Sequence, residues 1–391
     1  MDIRKLNGLE LQQALYVWSQ SFERGDRAME KWKEWEERTP TGRTTYGMLH
    51  GDALHAAFLL VDETIYLGTN GTVPMSAVCG VGVLPASRGR GYASRGMRYV
   101  FERMREAGRV ISFLEPFSWE FYHRLGYAWT APSRRYSVPS RLLPPSPETE
   151  RVRAARADDY PAIAACYTRM AHRYRGMLQR RAEVWAMVFD ASKTEATYTY
   201  MYEVDGVVEG YLCYHGGTRE TTKLTEFVAL TPRARQGLLG LLRRHEMQID
   251  MFRWDAPAND LLWHQLMHND VRTDLRSSTM ARIIDVREAL QAIRPSAEQC
   301  GSCAVSVVDA AAPWNHNVWK VENSEGAVAV EPTSGGAQVT LPVQALAQAY
   351  LGSPSLRDLR VAGEVQVHDE SGYNALDTLL AGPPAWCADS F

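Results

Sequence analysis

The most constraining feature of this 391-residue sequence is an apolar run that leads through a basic, glycine-rich turn into a helical pattern. The run is Ser76–Pro85, SAVCGVGVLP, and its nearly continuous apolar character predicts a strand covered on both faces of a sheet. Apolar residues then recur at the i, i+3, i+4, i+7 spacing of an amphipathic helix over Tyr92–Ala107. A strand, a tight turn and a helix in direct succession predict an α/β fold.

The turn itself, Arg88–Ala93, has the chemistry of an anion site. Its glycines let the backbone approach a ligand closely. The first turn of the following helix offers N–H groups without intrahelical partners and the positive end of the helix dipole. A basic surface turn without a ligand is the alternative that these residues leave open. A Walker A loop is excluded because no Gly-Lys-Ser/Thr follows, and the glycine spacing is not that of a dinucleotide-binding Rossmann loop.

The length of the chain predicts two or three domains. We expect a first domain over residues 1–138, a proline-rich linker over 139–150, a second domain over 151–287 and a third over 288–391. The second segment repeats the order helix, hairpin, strand, helix of the first, which indicates a degenerate internal repeat. Its hairpin is predicted over ATYTYMYEVDGVVEGYLCYHG, with Asp205 and Gly206 at the turn. The third has short strands with glycine and proline turns and two helices that end at glycines, which predicts an α+β domain.

Two motifs carry a resemblance to a known family. The pattern V-x-V-x-P followed by R-x-x-G-x-A, here Arg88 to Ala93, resembles the acetyl-CoA pyrophosphate loop of GCN5-related N-acetyltransferases, the GNAT family. The segment Pro116–Tyr127, PFSWEFYHRLGY, is similar to the FYxRxGY segment of the Eis-type (enhanced intracellular survival) branch.

The resemblance to the Eis-type branch covers essentially the whole chain. It implies a catalytic GNAT domain, a degenerate second GNAT domain and a C-terminal domain like sterol carrier protein (SCP2-like). Each GNAT domain would be a mixed, mostly antiparallel sheet flanked by helices, and the SCP2-like domain would be α+β. The resemblance also implies an acetyl-CoA co-substrate, no metal and a homo-oligomer, a hexamer in that branch.

Roles for individual residues follow from the resemblance. Tyr122 would be the general acid that protonates the departing thiolate, and the terminal carboxylate on Phe391 would be the general base toward the substrate amine. The backbone at residues 81–83 would face the pantetheine arm, and the turn would hold the pyrophosphate. The expected cofactor contacts are Val81, Gly82, Val83, Arg88, Gly89, Arg90, Gly91, Tyr92, Ala93, Ser94, Phe117 and Ser118.

These roles suit acyl transfer to an amine. A lysine-like amine has a pKa of about 10.4 and must lose a proton before it attacks, and a phenol of pKa about 10 can protonate a thiolate. From the residues alone, two alternatives stay open. Tyr122 can be a core tyrosine with a satisfied hydroxyl, and a chain end is usually solvated.

The acceptor predicted from this arrangement is a primary amine of the aminoglycoside, polyamine or lysine type. A cationic acceptor needs acidic wall residues, although each candidate can equally be a solvated surface charge. The candidates are Glu23, Asp26, Glu115, Glu120 and Asp389. Two other functions are considered: a non-catalytic protein that binds acyl-CoA or lipid, and an acyltransferase that prefers a longer acyl-CoA.

The second segment departs from the motif, because the stretch Thr231–Leu242 after its strand lacks the R-x-x-G-x-A spacing. We therefore expect the second domain to bind no acetyl-CoA and instead to form a wall of the substrate cleft and to build the oligomer.

The remaining features exclude several function classes. A net charge of −3 favours neither nucleic acid nor an anionic membrane as a partner. The sequence has neither a spanning apolar run nor a signal-peptide core, so we predict a cytoplasmic protein.

Cys300 and Cys303 form a lone CxxC, which is weak evidence for a metal or redox site. His264 and His268 lie four apart without the glutamate of a zinc protease, which predicts a helix surface.

Overall fold

The computed structural model of the chain describes residues 2–22, 41–189 and 197–390, and the statements below hold for these. They form two compact units. The first unit comprises the described residues of 1–130, 279–384 and 389–391, and the second comprises those of 131–278 and 385–388. Glu23, Asp26 and Phe391, three residues with expected roles, lie outside the described residues.

Helices are interspersed among runs of strands in the described residues. The elements up to residue 130 are β1 Asp2–Lys5, α1 Leu9–Ser19, β2 Arg43–His50, β3 Ala53–Leu67, β4 Thr72–Val83, α2 Tyr92–Glu106, β5 Ile111–Leu114, α3 Trp119–His123 and β6 Ala128–Thr130. Those of residues 131–278 are β7 Ser133–Pro139, β8 Val152–Ala154, α4 Tyr160–Ala171, β9 Arg175–Leu178, α5 Ala182–Phe189, β10 Thr197–Val204, β11 Val207–His215, β12 Thr222–Ala229, α6 Pro232–Arg243, β13 Met251–Pro257, α7 Leu262–Gln265 and β14 Arg272–Arg276. Those that follow are β15 Thr279–Ile283, α8 Val286–Gln291, β16 Gly301–Val308, β17 Asn317–Ser324, β18 Ala327–Pro332, β19 Val339–Pro342, α9 Val343–Leu351, α10 Leu356–Val361, β20 Gln366–Val367 and α11 Glu370–Leu380.

The larger sheet of the first unit has the strand order β1-β2-β3-β4-β5-β15-β6. The β4–β5 pair is parallel and its other pairs along this path are antiparallel. Helix α2 buries the predicted apolar stripe, Met97 to Met104, against this sheet. Gly96 makes the close approach possible, because a Cβ there would lie 1.9 Å from the ring of Phe58. The predicted strand–turn–helix succession is confirmed.

A strand from a distant part of the sequence completes this sheet. β15 lies between β5 and β6, where Met280 is opposite Leu114 on one side and Trp129 on the other. Conversely, β7 belongs to the sheet of the second unit, whose order is β14-β7-β13-β12-β11-β10-β8. Each sheet thus contains a strand from the end of the other predicted segment. The boundaries at residues 138 and 287 stay predictions.

In the second unit, the hairpin predicted over β10 and β11 is confirmed. Its turn places Asp205 at φ 50° and Gly206 at φ 76°, the left-handed geometry of a two-residue hairpin turn. Along the predicted linker, short 3₁₀ turns form at Ser140–Leu142 and Pro147–Arg151. Leu143 between them is fully buried, so this proline-rich stretch contributes to the core of the second unit.

The third sheet, within the first unit, has the order β18-β17-β16-β19-β20. Helix α9 ends at Gly352 with φ 81°, as predicted. The expectation that α11 also ends at a glycine is wrong, because the residue after Leu380 is Ala381 in an extended conformation. Three mixed sheets flanked by helices confirm the predicted fold class.

A buried ion pair connects this third sheet to the first one. Arg282 on β15 lies 2.6 Å from the carboxylate of Asp309, and both side chains are almost fully buried. The same guanidinium donates to the backbone carbonyl of Leu125, two residues after α3, and stacks over the ring of Phe101. The end of α3 is therefore anchored from inside the core.

Candidate active site

A cavity of about 520 Å³ opens beside the end of β4 in the first unit. Among its described lining residues, Arg88 carries the only charge. The lining residues are Ser21, Phe22, Val81, Val83, Ser87, Arg88, Gly89, Gly91, Tyr92, Ala93, Ser94, Phe117 and Phe121. The cavity is therefore an apolar cleft with one basic, glycine-rich end.

The cleft forms because β4 and β5 separate. The two strands pair only over Met75–Ala77 and Ile111–Phe113, whereas β4 continues to Val83. A bulge at Cys79, where Gly80 pairs with Leu59 and Val78 with Leu60, bends β4 near this point. Beyond Ala77, the edge of β4 that faces away from β3 has no pairing with β5 and borders the cavity.

The basic end is a turn that only glycine fits comfortably. Gly89 and Gly91 adopt φ of 77° and 72°, in the left-handed region that other residues rarely enter. Gly91 is the N-cap of α2 and supplies no side-chain cap. The helical hydrogen bonds begin with Arg95 N to Gly91 O at 3.1 Å. The first-turn amides of α2, at residues 92–94, therefore have no intrahelical acceptors and lie at the positive end of the helix dipole.

The structure brings nine of the expected cofactor contacts together around this cavity. They are Val81, Val83, Arg88, Gly89, Gly91, Tyr92, Ala93, Ser94 and Phe117. Gly82, Arg90 and Ser118 are not among the lining residues. Strand alternation turns Gly82 toward α1, where a Cβ would lie 2.9 Å from both Trp18 and Val17. Ser118 instead caps α3, since its hydroxyl accepts from the backbone N–H of Phe121.

Tyr122 lies on α3, directly behind the aromatic wall of the cavity. Its ring makes edge-to-face contacts with Phe117 and Phe121, with centroids 5.4 and 4.9 Å apart. It is 3 % exposed and is not itself a lining residue. Burial raises the pKa of Tyr122 well above its ordinary value, and neighbouring Tyr127 adds to the shift. The phenol therefore holds its proton at neutral pH.

Sequence comparisons assign the domains. Residues 2–130 match the family model described as "Acetyltransferase (GNAT) domain", and residues 176–283 match a second model of that description. Residues 286–388 match the model described as "Sterol carrier protein domain". The chain belongs to the GNAT acetyltransferases. The predicted arrangement, two GNAT domains followed by a sterol carrier protein domain, is confirmed.

Relatives and solved structures agree with this GNAT assignment. The chain is 27% identical over 360 residues to an uncharacterized N-acetyltransferase of Streptomyces avermitilis, covering 87% of each chain. It is similar to a GCN5-related N-acetyltransferase from Kribbella flavida, with a TM-score of 0.83, 25% identity and coverage of 100% and 98% of the two chains. Eis1 from Mycobacterium abscessus shares the fold at a TM-score of 0.79 and 23% identity, with both chains fully covered.

The second GNAT domain differs at the place that corresponds to the glycine turn. There β12 leads into α6, whose N-cap is Thr231 with Pro232 in the first helical turn. The Thr231 hydroxyl accepts from the N–H of Ala234 and donates to the carboxylate of Glu209 at 2.8 Å. Arg233 also binds Glu209 and is the main reason that the pKa of this carboxyl lies below its ordinary value. In the second domain, the Thr231 hydroxyl thus satisfies one first-turn N–H of α6, and the carboxylate of Glu209 binds the Thr231 and Arg233 side chains beside it.

The expected acidic wall residues of this acetyltransferase lie elsewhere or are not described. Glu115 and Glu120 are exposed, and neither they nor Asp389 line the cavity. Four lining residues were not expected from the sequence: Ser21, Phe22, Ser87 and Phe121. Phe121 lies on α3 and Phe117 directly precedes its N-cap Ser118, so the aromatic-rich segment Pro116–Tyr127 was the available signal. The end of α1 carries no comparable signal for Ser21 and Phe22.

The remaining sequence motifs form no second site in the described residues. The expectation that His264 and His268 share a helix surface is wrong for His268, because α7 ends at Gln265. Cys300 is exposed and Cys303 is buried, and both are free thiols. Within residues 2–22, 41–189 and 197–390, no cluster of three or more His, Cys, Asp or Glu could hold a metal ion. No helix in these ranges is both long and apolar enough to span a bilayer.

Proposed function

We propose that the first GNAT domain transfers an acetyl group from acetyl-CoA to a primary amine, with Tyr122 as the general acid. The observation that carries this proposal is the cleft itself. The edge of β4 that is not paired with β5 borders the same cavity as the open first turn of α2. The thioester arm of acetyl-CoA can therefore lie along β4 while its diphosphate reaches the first turn of α2.

The glycine turn fits a diphosphate. Three first-turn amides, the helix dipole and the guanidinium of Arg88 converge on the basic end of the cavity. The Nε of Arg88 donates to the carbonyl of Val83 at 3.2 Å, which fixes the base of the side chain while its outer part is exposed. An anion bound here would therefore meet N–H donors from the backbone and from a positioned arginine.

The apolar length of the cavity fits the pantetheine arm. Val81 and Val83 from β4 face the Phe117 and Phe121 rings across it. Backbone N–H groups on the unpaired edge can polarise an acetyl carbonyl, as donors aimed at a developing oxyanion do.

Tyr122 is suited to protonate the departing thiolate. Its phenol is neutral at physiological pH, since an ordinary tyrosine already has a pKa of about 10 and burial raises the pKa of Tyr122 further, so a proton is present when the C–S bond breaks. The buried ring lies behind Phe117, which is 64 % exposed.

The amine must lose a proton before attack, and the terminal carboxylate on Phe391 stays the predicted base. Phe391 lies outside the described residues, and the assignment rests on the resemblance to the Eis-type branch. The described cavity wall holds no carboxylate, so the acid groups that select an aminoglycoside, a polyamine or a lysine side chain would come from other residues.

Thiol release from acetyl-CoA tests the proposal. The full chain is incubated with acetyl-CoA and a panel of aminoglycosides, polyamines and lysine peptides, and free CoA thiol is measured with and without amine. We expect amine-dependent release. CoA binding without release for any amine would favour the non-catalytic alternative, and faster release from a longer thioester would favour the long-chain alternative.

Homo-oligomerisation and a cytoplasmic location also stay predictions.

A further inference from the structure

A serine and a histidine form a hydrogen-bonded pair just before the glycine turn, and neither has a role in the account above. The hydroxyl of Ser87 lies 2.8 Å from Nδ1 of His55, which comes from β3. Ser87 is 3 % exposed and lines the cavity, whereas His55 is not a lining residue. The serine is thus part of the cavity wall, with an imidazole behind it.

The surrounding backbone holds this pair in place. The carbonyl of His55 accepts from the N–H of Leu84 at 3.0 Å, and the carbonyl of Leu84 accepts from the N–H of Ser87 at 2.8 Å. The imidazole also packs edge-to-face against Tyr92, the first residue of α2, with ring centroids 5.9 Å apart. Strand, turn and helix therefore fix the two side chains relative to the open amides of α2.

The pair has two proton arrangements with opposite consequences for an anion. A serine hydroxyl has one proton, and a neutral imidazole carries one N–H. When Nδ1 of His55 carries the proton, it donates to Ser87, and the hydroxyl proton is free to donate into the cavity. When Nε2 carries it, Ser87 donates to Nδ1 and offers only lone pairs to the cavity. A phosphate oxygen accepts a hydrogen bond only from the first arrangement.

We propose that Ser87 binds a phosphate oxygen of the acyl-CoA and that His55, as its Nδ1–H tautomer, is the positioning residue that directs the serine proton there. This inference rests on the proposed function, because the anion is the diphosphate of the co-substrate. It adds a side-chain donor to the backbone donors of the glycine turn, at a position before Arg88 that the motif itself does not specify.

Histidine tautomers can be read directly by NMR. The full chain is labelled with ¹⁵N-histidine and studied at pH 8, where an ordinary histidine is neutral, with CoA as the probe. The His55→Asn variant identifies the His55 signals. We expect the Nδ1–H tautomer for His55 in the CoA complex. The Nε2–H tautomer in that complex would overturn the inference.

Calorimetry with CoA provides the second test. We expect Ser87→Ala to weaken CoA binding roughly tenfold to a hundredfold, the usual effect of a lost hydrogen bond to a charged group. His55→Leu should weaken it similarly, whereas His55→Asn keeps an N–H donor near the Nδ1 position and should retain most of the affinity.

The outcomes separate this inference from the proposed function. Wild-type affinity in Ser87→Ala would overturn the role of the pair and leave acyl transfer intact. A wild-type chain that takes up no CoA would overturn both. Thermal unfolding checks the fold of each variant, and the NMR measurement on wild type decides the matter even if Ser87→Ala does not fold.

Discussion

In both GNAT domains a strand is followed directly by a helix, but the N-terminus of that helix is capped differently in the two domains. In the first domain, Gly91 caps α2 without a side chain, so the first-turn amides stay open. In the second, Thr231 caps α6 with its hydroxyl, and the carboxylate of Glu209 lies beside it. A helix terminus can bind an anion or can be satisfied by its own chain. The fold therefore supplies the helix dipole in both domains, and a few residues decide whether a ligand can use it.

The largest expected effect concerns the chemistry assigned to the first domain. Replacing Tyr122 by phenylalanine should lower kcat by roughly 10²- to 10⁴-fold with CoA affinity unchanged, because only the proton donor is lost. The matched change in the second domain is Tyr214→Phe, which removes a hydroxyl that is also mostly buried. Steady-state kinetics of both variants provide the measurement, and equal losses would remove the distinction between the domains.

The pH profile adds to this prediction. Because the pKa of Tyr122 is raised by burial, the acid stays protonated up to and beyond the ordinary tyrosine value of about 10. The Tyr122 contribution to kcat should therefore show no alkaline loss below about pH 10. A Tyr122-dependent loss near pH 8 would contradict the buried phenol.

A buried ion pair lies in the described part of each unit, and its removal can separate stability from activity. Arg282 pairs with Asp309 in the first unit and Arg180 with Glu226 in the second. Arg282→Met and Arg180→Met should each lower the free energy of unfolding by about 3–5 kcal/mol, since a buried carboxylate loses its partner. Only Arg282 also holds the carbonyl of Leu125 behind α3, so only Arg282→Met should reduce kcat while the protein remains folded. Urea unfolding and assays at low temperature measure the two effects.

Glycine substitutions test the turn itself. Gly91→Val forces a branched side chain into a left-handed conformation, at a cost of about 1–3 kcal/mol, and turns the α2 amides away from the cavity. CoA affinity measured by calorimetry should fall roughly tenfold or more, because relief of this strain moves the turn. Gly206→Val brings similar strain to the β10–β11 hairpin of the second domain and should leave CoA affinity unchanged. Unchanged affinity in Gly91→Val would contradict the proposed diphosphate site.

The smallest expected effect is at the cap of the second domain. Thr231→Ala removes the hydroxyl that accepts from Ala234 and should lower the free energy of unfolding by about 1 kcal/mol. CoA affinity should not change, because this helix terminus is assigned no ligand. Thermal unfolding measures the loss of stability, and calorimetry measures the CoA affinity. A weaker CoA complex in Thr231→Ala would indicate that the second domain contacts the cofactor.

Local patterns predicted much of the fold. The strand–turn–helix succession around Arg88 depends on neighbouring residues, as does the hairpin turn at Asp205 and Gly206, and both are found as expected. The placement of β15 between β5 and β6 was not predicted, because it depends on pairing between residues more than 150 positions apart, such as Met280 with Leu114. Alternating apolar residues indicate that a strand exists and do not indicate its neighbours.

The cavity shows the same limit. The motif led to nine lining residues, whereas Gly82 and Ser118 have local packing and capping roles that only the three-dimensional structure reveals. Ser87 pairs with His55 from a different strand, and Thr231 at the α6 cap pairs with Glu209 from β11. Side chains that come together through tertiary contacts have no characteristic spacing in the sequence, so such pairs cannot be predicted from local patterns.

We propose that one helix terminus, that of α2, accepts the diphosphate of the co-substrate. A titration of the full chain with CoA, combined with a crystal structure of the complex, tests it most directly. We predict one CoA per chain, with its diphosphate at the N–H groups of residues 92–94 and beside Arg88. Two CoA molecules per chain, or a diphosphate bound at α6, would contradict it.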